Sequence, residues 1–236
     1  MSCANVASAQ ITVDSAFTES VRQNLQDTGN RVYSVVTEMF HSKPPLDLPI
    51  IVFHNNQPIT ILDTWTKPTA IRIGTTLTDW YIDQFIFQFS HEMGHVMLDP
   101  RRNSGFVDAV CTALSLEVLR RIQQNPYRQL YESEVLQEFP RDITLALAEK
   151  DWPKVRNYLH DHRSEIEAQS PRYRVAQVLA ALSILSGPVE WSALKGIAGC
   201  TVPTVAEDPS FRTLPITADC MAKVGDLDCR TGGTCR

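Results

Sequence analysis

Residues 79–98 read DWYIDQFIFQFSHEMGHVML, and the rest of the chain is best read outward from them. Trp80, Phe85, Ile86, Phe89, Met93, Val96 and Met97 recur at helical spacing and form a broad apolar face. Thr78 stands where an N-cap belongs, and Asp79 and Asp83 suit the positive end of the helix dipole. Pro100 closes the pattern. The expectation is one helix over 79–98. Its last turns hold His91-Glu92-Met93-Gly94-His95, an HExxH pattern.

On a helix, residues four apart lie about 40° apart around the axis and one turn along it. The imidazoles of His91 and His95 then leave one face and can share a cation, for which Zn2+ is expected. Glu92 can reach a water in an open coordination position without being a ligand itself. Zinc lowers the pKa of such a water toward about 7 and polarises a carbonyl. Glu92 would take the proton as general base and return it to the leaving amine as general acid. The alternative is a surface helix with incidental histidines. The apolar surroundings of Phe87, Phe89, Met93, Val96 and Met97 favour the site. Gly94 lets another element approach the helix closely.

Catalytic zinc needs a third protein ligand. Ser104 can cap a second helix running to about Gln124, with Val107, Val110, Leu114, Val118 and Ile122 on one side. Asp108 lies near its start, close to the turn that brings the two helices together. Glu117 is nine positions on, about half a turn round the same helix, so only one of the two can be the ligand. Asp108 has the better location, although an acid there also simply favours a helix N-terminus. Glu117 is expected to be a solvated partner of Arg120 and Arg121. Asp99 follows His95 too closely to be an easy ligand, but it can hydrogen-bond a ligand histidine from behind.

On His91, Glu92, His95 and the stretch Gly105-Phe106-Val107-Asp108-Ala109, the chain resembles the zincin metallopeptidases. The second stretch is similar to the downstream Glu-containing helix of gluzincins, but here the acid is Asp and the gap is short. A short gap ending in Asp resembles the aspzincins, whose Gly-Thr-containing ligand motif is missing. The extended metzincin motif is also absent. The resemblance covers about residues 70–120. It implies a zinc hydrolase of peptide bonds, with an edge strand lining the substrate. Zincins often steady the oxyanion with a later Tyr, His or Arg. Tyr131, Tyr158, His160, His162, Tyr173 and Arg174 are the candidates, and each has a surface or structural reading beside that one.

The predicted fold class is α+β and zincin-like: a small mixed sheet, the active-site helix, then a mainly helical C-terminal half. Residues 1–14 are expected to be a disordered or processed N-terminus, 15–125 the catalytic core, 126–200 a helical subdomain and 201–236 an irregular cysteine-containing tail. Within the core, 15–41 reads as one or two helices, with Thr28-Gly29-Asn30 a break between them, and Lys43-Pro44-Pro45 as the stop. Strands are expected at 48–53, 59–62 and 70–73, the last as an edge strand. Further helices fall at 129–138, 142–149, 153–168, 172–186 and 190–198.

With a net charge of −5 and 22 scattered basic residues, the chain lacks the basic stripe of a nucleic-acid binder. The best candidate for a membrane span, Ala176 to Leu185, contains Gln177 and Ser183 and is about half of the roughly 20 residues needed. Ala7-Ser8-Ala9 resembles a signal-cleavage site, so the location is cytoplasmic if Met1 is the native start, and secreted or periplasmic if a signal was removed. Cys111 reads as an inert core thiol. Cys3, Cys200, Cys220, Cys229 and Cys235 fit disulfides or free thiols better than a second metal site. The leading reading is a zinc endopeptidase with a peptide or protein substrate. Behind it stand an inactive binding protein on a zincin scaffold and a zinc hydrolase of something other than a peptide. Oligomeric state is not legible.

Overall fold

The structure, a computed structural model, describes residues 11–64, 66–76, 82–101, 105–122, 140–149, 151–162, 189 and 191–198. In chain order the elements are β1 (Ile11–Val13), α1 (Glu19–Met39), β2 (Ile50–His54), β3 (Ile59–Leu62), β4 (Ile71–Thr75), α2 (Ile82–Leu98), α3 (Gly105–Ile122), α4 (Arg141–Ala148), α5 (Trp152–Asp161) and α6 (Trp191–Ala198). This is an α+β protein built on one mixed sheet of order β1-β2-β4-β3. The first three strands in that order are parallel, and β3 runs antiparallel to β4.

Two-residue alternation decides which sheet face is covered. Ile11 pairs with Ile50, Val13 with Val52, Ile50 with Ile71 and Val52 with Ile73. All six are buried in one cluster with Val32 and Val36 of α1 and Phe85, Phe89 and Met93 of α2. On the other face, Ile51 and Arg72 are only partly covered, and the Arg72 guanidinium lies 5.0 Å from the centre of the Phe53 ring. On β3, Thr60 pairs with Ile73 and Leu62 with Ile71, which puts both on the helix-covered side. Ile61 pairs with Arg72 on the outer side and is 40% exposed.

Four sequence expectations change here. Residues 11–13 are a buried strand, because Ile11 and Val13 complete the covered face of β2, so the irregular N-terminus does not extend to residue 14. The one-or-two-helix expectation over 15–41 narrows to a single helix, Glu19–Met39, unbroken at Thr28-Gly29-Asn30. Gly29 sits in its interior, where an added Cβ would meet Ile11 and Phe89 side-chain atoms no closer than 3.4 Å. Gly29→Ala is therefore expected to stabilise the fold by about 0.5–1 kcal/mol through lower unfolded-state entropy, read as a raised midpoint in denaturant unfolding. Strand β4 is not an edge strand: it has β2 on one side and β3 on the other. Among the described residues β3 pairs with β4 alone, so β3, like β1 at the other end, is an edge strand.

The fourth change concerns the division into core and helical subdomain. Trp191 and Leu194 of α6 belong to the main buried cluster, and the Trp191 ring lies 5.9 Å from Phe40. The Lys195 ammonium donates to Ser42 Oγ and, at 3.1 Å, to the Lys43 carbonyl. Helix α6 thus shares the core with α1 and α2. Helices α4 and α5 pack on each other. Among the described residues, no helix is long and apolar enough to cross a membrane. The helices expected at 129–138 and 172–186, the five cysteines other than Cys111, and Tyr131, Tyr173 and Arg174 lie outside the described residues.

Candidate metal centre

Helix α2 is almost wholly buried from Phe85 to Leu98, which fixes its rotation about its own axis. Its first half is pinned to the end of β4, where the Thr76 amide donates to Gln88 Oε1 at 2.9 Å. Gly94 then sets how closely α3 approaches. A Cβ there would lie 2.7 Å from Cys111 Sγ, 3.0 Å from its Cβ and 3.1 Å from its Cα. Only a hydrogen fits at that crossing.

The close crossing brings three side chains together. His91 Nε2 and His95 Nε2 are 3.3 Å apart. Asp108 Oδ1, from the first turn of α3, is 3.2 Å from His95 Nε2 and 3.9 Å from His91 Nε2. One ligand atom from each lies within 4.8 Å of the others, a group that could hold a metal ion. Their side chains keep 11–18% of their exposure, so the cluster is recessed but reachable from solvent.

Glu117 takes no part in this cluster. It accepts from Arg120 Nε at 2.7 Å, Arg120 Nη2 at 2.6 Å and Arg121 Nε at 2.8 Å. Burial pushes its pKa up, but these hydrogen bonds and charges outweigh that and hold it below the ordinary value. The expected pairing with the arginines is present, but Glu117 is buried rather than solvated, at 9% exposure. Asp99 adopts φ 81°, the left-handed region that Asp tolerates. Its two oxygens clamp Arg101, at 2.7 Å to Nε and 2.9 Å to Nη2, and shape the turn after α2.

Three residues that the sequence reading did not place in the site lie around it. The Thr60 hydroxyl donates to Glu92 Oε2 at 2.7 Å and lies 3.2 Å from the Glu92 carbonyl. Thr112 Oγ1 is 3.4 Å from His91 Nδ1. Cys111 is buried as expected, with its thiol packed against Gly94 of α2, close enough to His95 to act on its charge. One stretch of α3 thus supplies Asp108, backs His91 through Thr112 and lays Cys111 against Gly94. Thr112 could have been suspected, because it stands four residues after Asp108 on the same helical face. Thr60 and Cys111 could not, since their contacts depend on how separate elements dock.

Electrostatics follow the burial. Burial, and then the neighbouring His95, push His91 down to about 4 against the pull of Asp108, so its imidazole is neutral near pH 7. Burial also works against charge on His95, but Cys111, Asp108 and Glu92 together carry its pKa well above the ordinary imidazole value. Burial raises Glu92, opposed by His95 and by the Thr60 hydrogen bond. A carboxyl pushed upward in this way is a better proton acceptor than a solvated one. Of the oxyanion candidates within the described residues, Tyr158 and His162 stack on each other with ring centroids 4.2 Å apart, and His162 Nδ1 lies 3.0 Å from the Tyr158 carbonyl. His160 belongs to α5, the helix that packs on α4.

Fold and site together define an α+β protein with a recessed His-His-Asp cluster able to hold a metal ion. Compared with protein-family models, with curated proteins and with solved structures, the chain matches none.

Proposed function

We propose that the protein is a zinc-dependent peptidase of zincin type, in which His91, His95 and Asp108 hold the metal and Glu92 is the general base. The observation that carries this reading is the spacing of the three ligand atoms. Zinc bonds of about 2.0–2.1 Å in a tetrahedron imply ligand atoms about 3.3 Å apart. Here the separations are 3.3, 3.2 and 3.9 Å. Two imidazoles and one carboxylate are a donor set typical of catalytic rather than structural zinc, which leaves the fourth position to water or substrate.

When bound, zinc supplies a Lewis acid that acidifies water and polarises a carbonyl. The chain's own residues do the rest. Glu92 is next in sequence to His91 and is 4% exposed, so its carboxylate acts with little competition from bulk water. It takes a proton at one oxygen and returns it to the leaving amine. A retained carboxylate beside the ligands has no purpose in a purely structural site, which favours hydrolysis over a binding role. The open edge of β3 offers backbone groups that can hold an extended peptide, as edge strands do. That geometry supports an extended stretch of polypeptide as substrate.

The metal assignment is tested by the zinc content of the untagged protein, measured by elemental mass spectrometry. One zinc per chain is expected, lost in His95→Ala and Asp108→Ala and kept in Glu117→Ala. Zinc kept in Asp108→Ala but lost in Glu117→Ala would overturn the ligand assignment. A wild type that takes up no zinc when supplied with it would overturn the peptidase reading and leave a scaffold for binding.

A further inference from the structure

We infer that Thr60 is a positioning residue for the general base: its hydroxyl, carried by the open edge strand β3, fixes the carboxylate of Glu92. This inference rests on the peptidase reading above and adds a residue to that site.

Three observations converge on it. The contact is short and specific, at 2.7 Å from Thr60 Oγ1 to Glu92 Oε2. A hydroxyl has one hydrogen, and the second acceptor nearby, the Glu92 carbonyl at 3.2 Å, belongs to the same residue. The shorter of the two contacts is to Oε2, so it is the carboxylate that takes the hydrogen. The contact also has no local origin. Thr60 reaches α2 because the antiparallel register sets it beside Ile73 on the helix-covered face of the sheet. A slip of β3 by one residue would turn Thr60 outward and Ile61 inward.

The chemical consequence follows from the carboxylate having two oxygens. With Oε2 engaged by Thr60, rotation about the last side-chain bond of Glu92 is restrained and Oε1 is left for proton transfer. A general base works only within hydrogen-bond reach of the proton it takes, so an orienting partner acts on turnover rather than on substrate affinity. The same strand that carries Thr60 is the one whose outer edge is unpaired among the described residues. Base and substrate platform are therefore registered by one element.

Thr60→Val removes the hydroxyl and keeps the shape; Thr60→Ser keeps the hydroxyl. Both are compared with wild type for zinc content, thermal midpoint, and kcat and KM on a fluorogenic peptide found by library screening. The expected result is full zinc in both, a kcat lowered about 10–100-fold in Thr60→Val with KM little changed, and recovery to within a few-fold of wild type in Thr60→Ser. An unchanged kcat in Thr60→Val, or an equal loss in Thr60→Ser, would overturn the positioning role while leaving the peptidase reading intact. Loss of zinc in Thr60→Val would overturn it too, by showing that Thr60 serves the metal cluster. A zinc-loaded wild type that cleaves no peptide in the library would overturn the peptidase reading itself, and this inference with it.

Discussion

Glu92→Gln is expected to keep its zinc and to lose peptide hydrolysis by about 10²–10⁴-fold, the range a general base contributes. The substitution is nearly isosteric, and the Glu92 side chain is not a member of the His91–His95–Asp108 group, so binding of the metal should survive. The Gln side-chain oxygen can still accept from the Thr60 hydroxyl, the contact that lies at 2.7 Å in the wild type. Fold and orientation are then largely preserved while proton uptake is abolished. Zinc content and steady-state hydrolysis of the screened peptide, measured on one preparation, check both halves. Equal activity in Glu92→Gln and wild type would remove Glu92 from the mechanism. Zinc lost from the variant would show that the carboxylate serves the metal rather than the proton.

Gly94→Ala is expected to destabilise the protein by about 1–3 kcal/mol, the penalty for forcing atoms into a packed core, and to weaken zinc binding in parallel. Alanine is the better helix former by about 1 kcal/mol, so an isolated helix would gain. The docking of α3 reverses that sign. The new Cβ would lie 2.7 Å from Cys111 Sγ, which rotation could relieve, but also 3.0 Å from Cys111 Cβ and 3.1 Å from Cys111 Cα, which only movement of α3 can relieve. Asp108 sits on that helix one turn before Thr112, so moving α3 shifts the third ligand and the group behind His91 together. A lowered thermal midpoint with a raised Kd for zinc is the expected pair of results. The same exchange at Gly29, where the nearest atom is 3.4 Å away, is the control with the opposite expected sign. A Gly94→Ala protein as stable as wild type would mean that α2 and α3 do not cross as closely as described.

The parts of the fold legible in the sequence are those set by local pattern. The apolar face of Phe85, Phe89, Met93 and Val96 marked α2 because a buried helix repeats every three or four residues. The runs at 48–53, 59–62 and 70–73 read as strands, the first as a short apolar run and the last by its alternation, and the observed strands fall within two residues of those bounds. Strand β1 was missed because three residues, Ile11–Val13, are too few to show a period, and only pairing with β2 makes them a strand. Gly29 left one helix or two open over 15–41, because a glycine in a helix looks the same whether it ends the helix or lies within it against Ile11 and Phe89. Strand β4 was misread as an edge because alternation reports which face is buried and says nothing of how many neighbours a strand has.

For the candidate site, the sequence by itself determined that His91 and His95 share a face and that Glu92 stands beside them. Four-residue spacing and adjacency are properties of one helix and need nothing else. It also determined that Asp108 and Glu117 could not both join them. Only the tertiary structure decided between those two acids, brought Thr60 onto Glu92, set Thr112 behind His91 and laid Cys111 against Gly94. Each of these contacts depends on the register of β3 against β4 or on the closeness of α2 to α3. Those quantities come from the packing of whole elements around Gly94 and the covered sheet face, where no local pattern of residues records them.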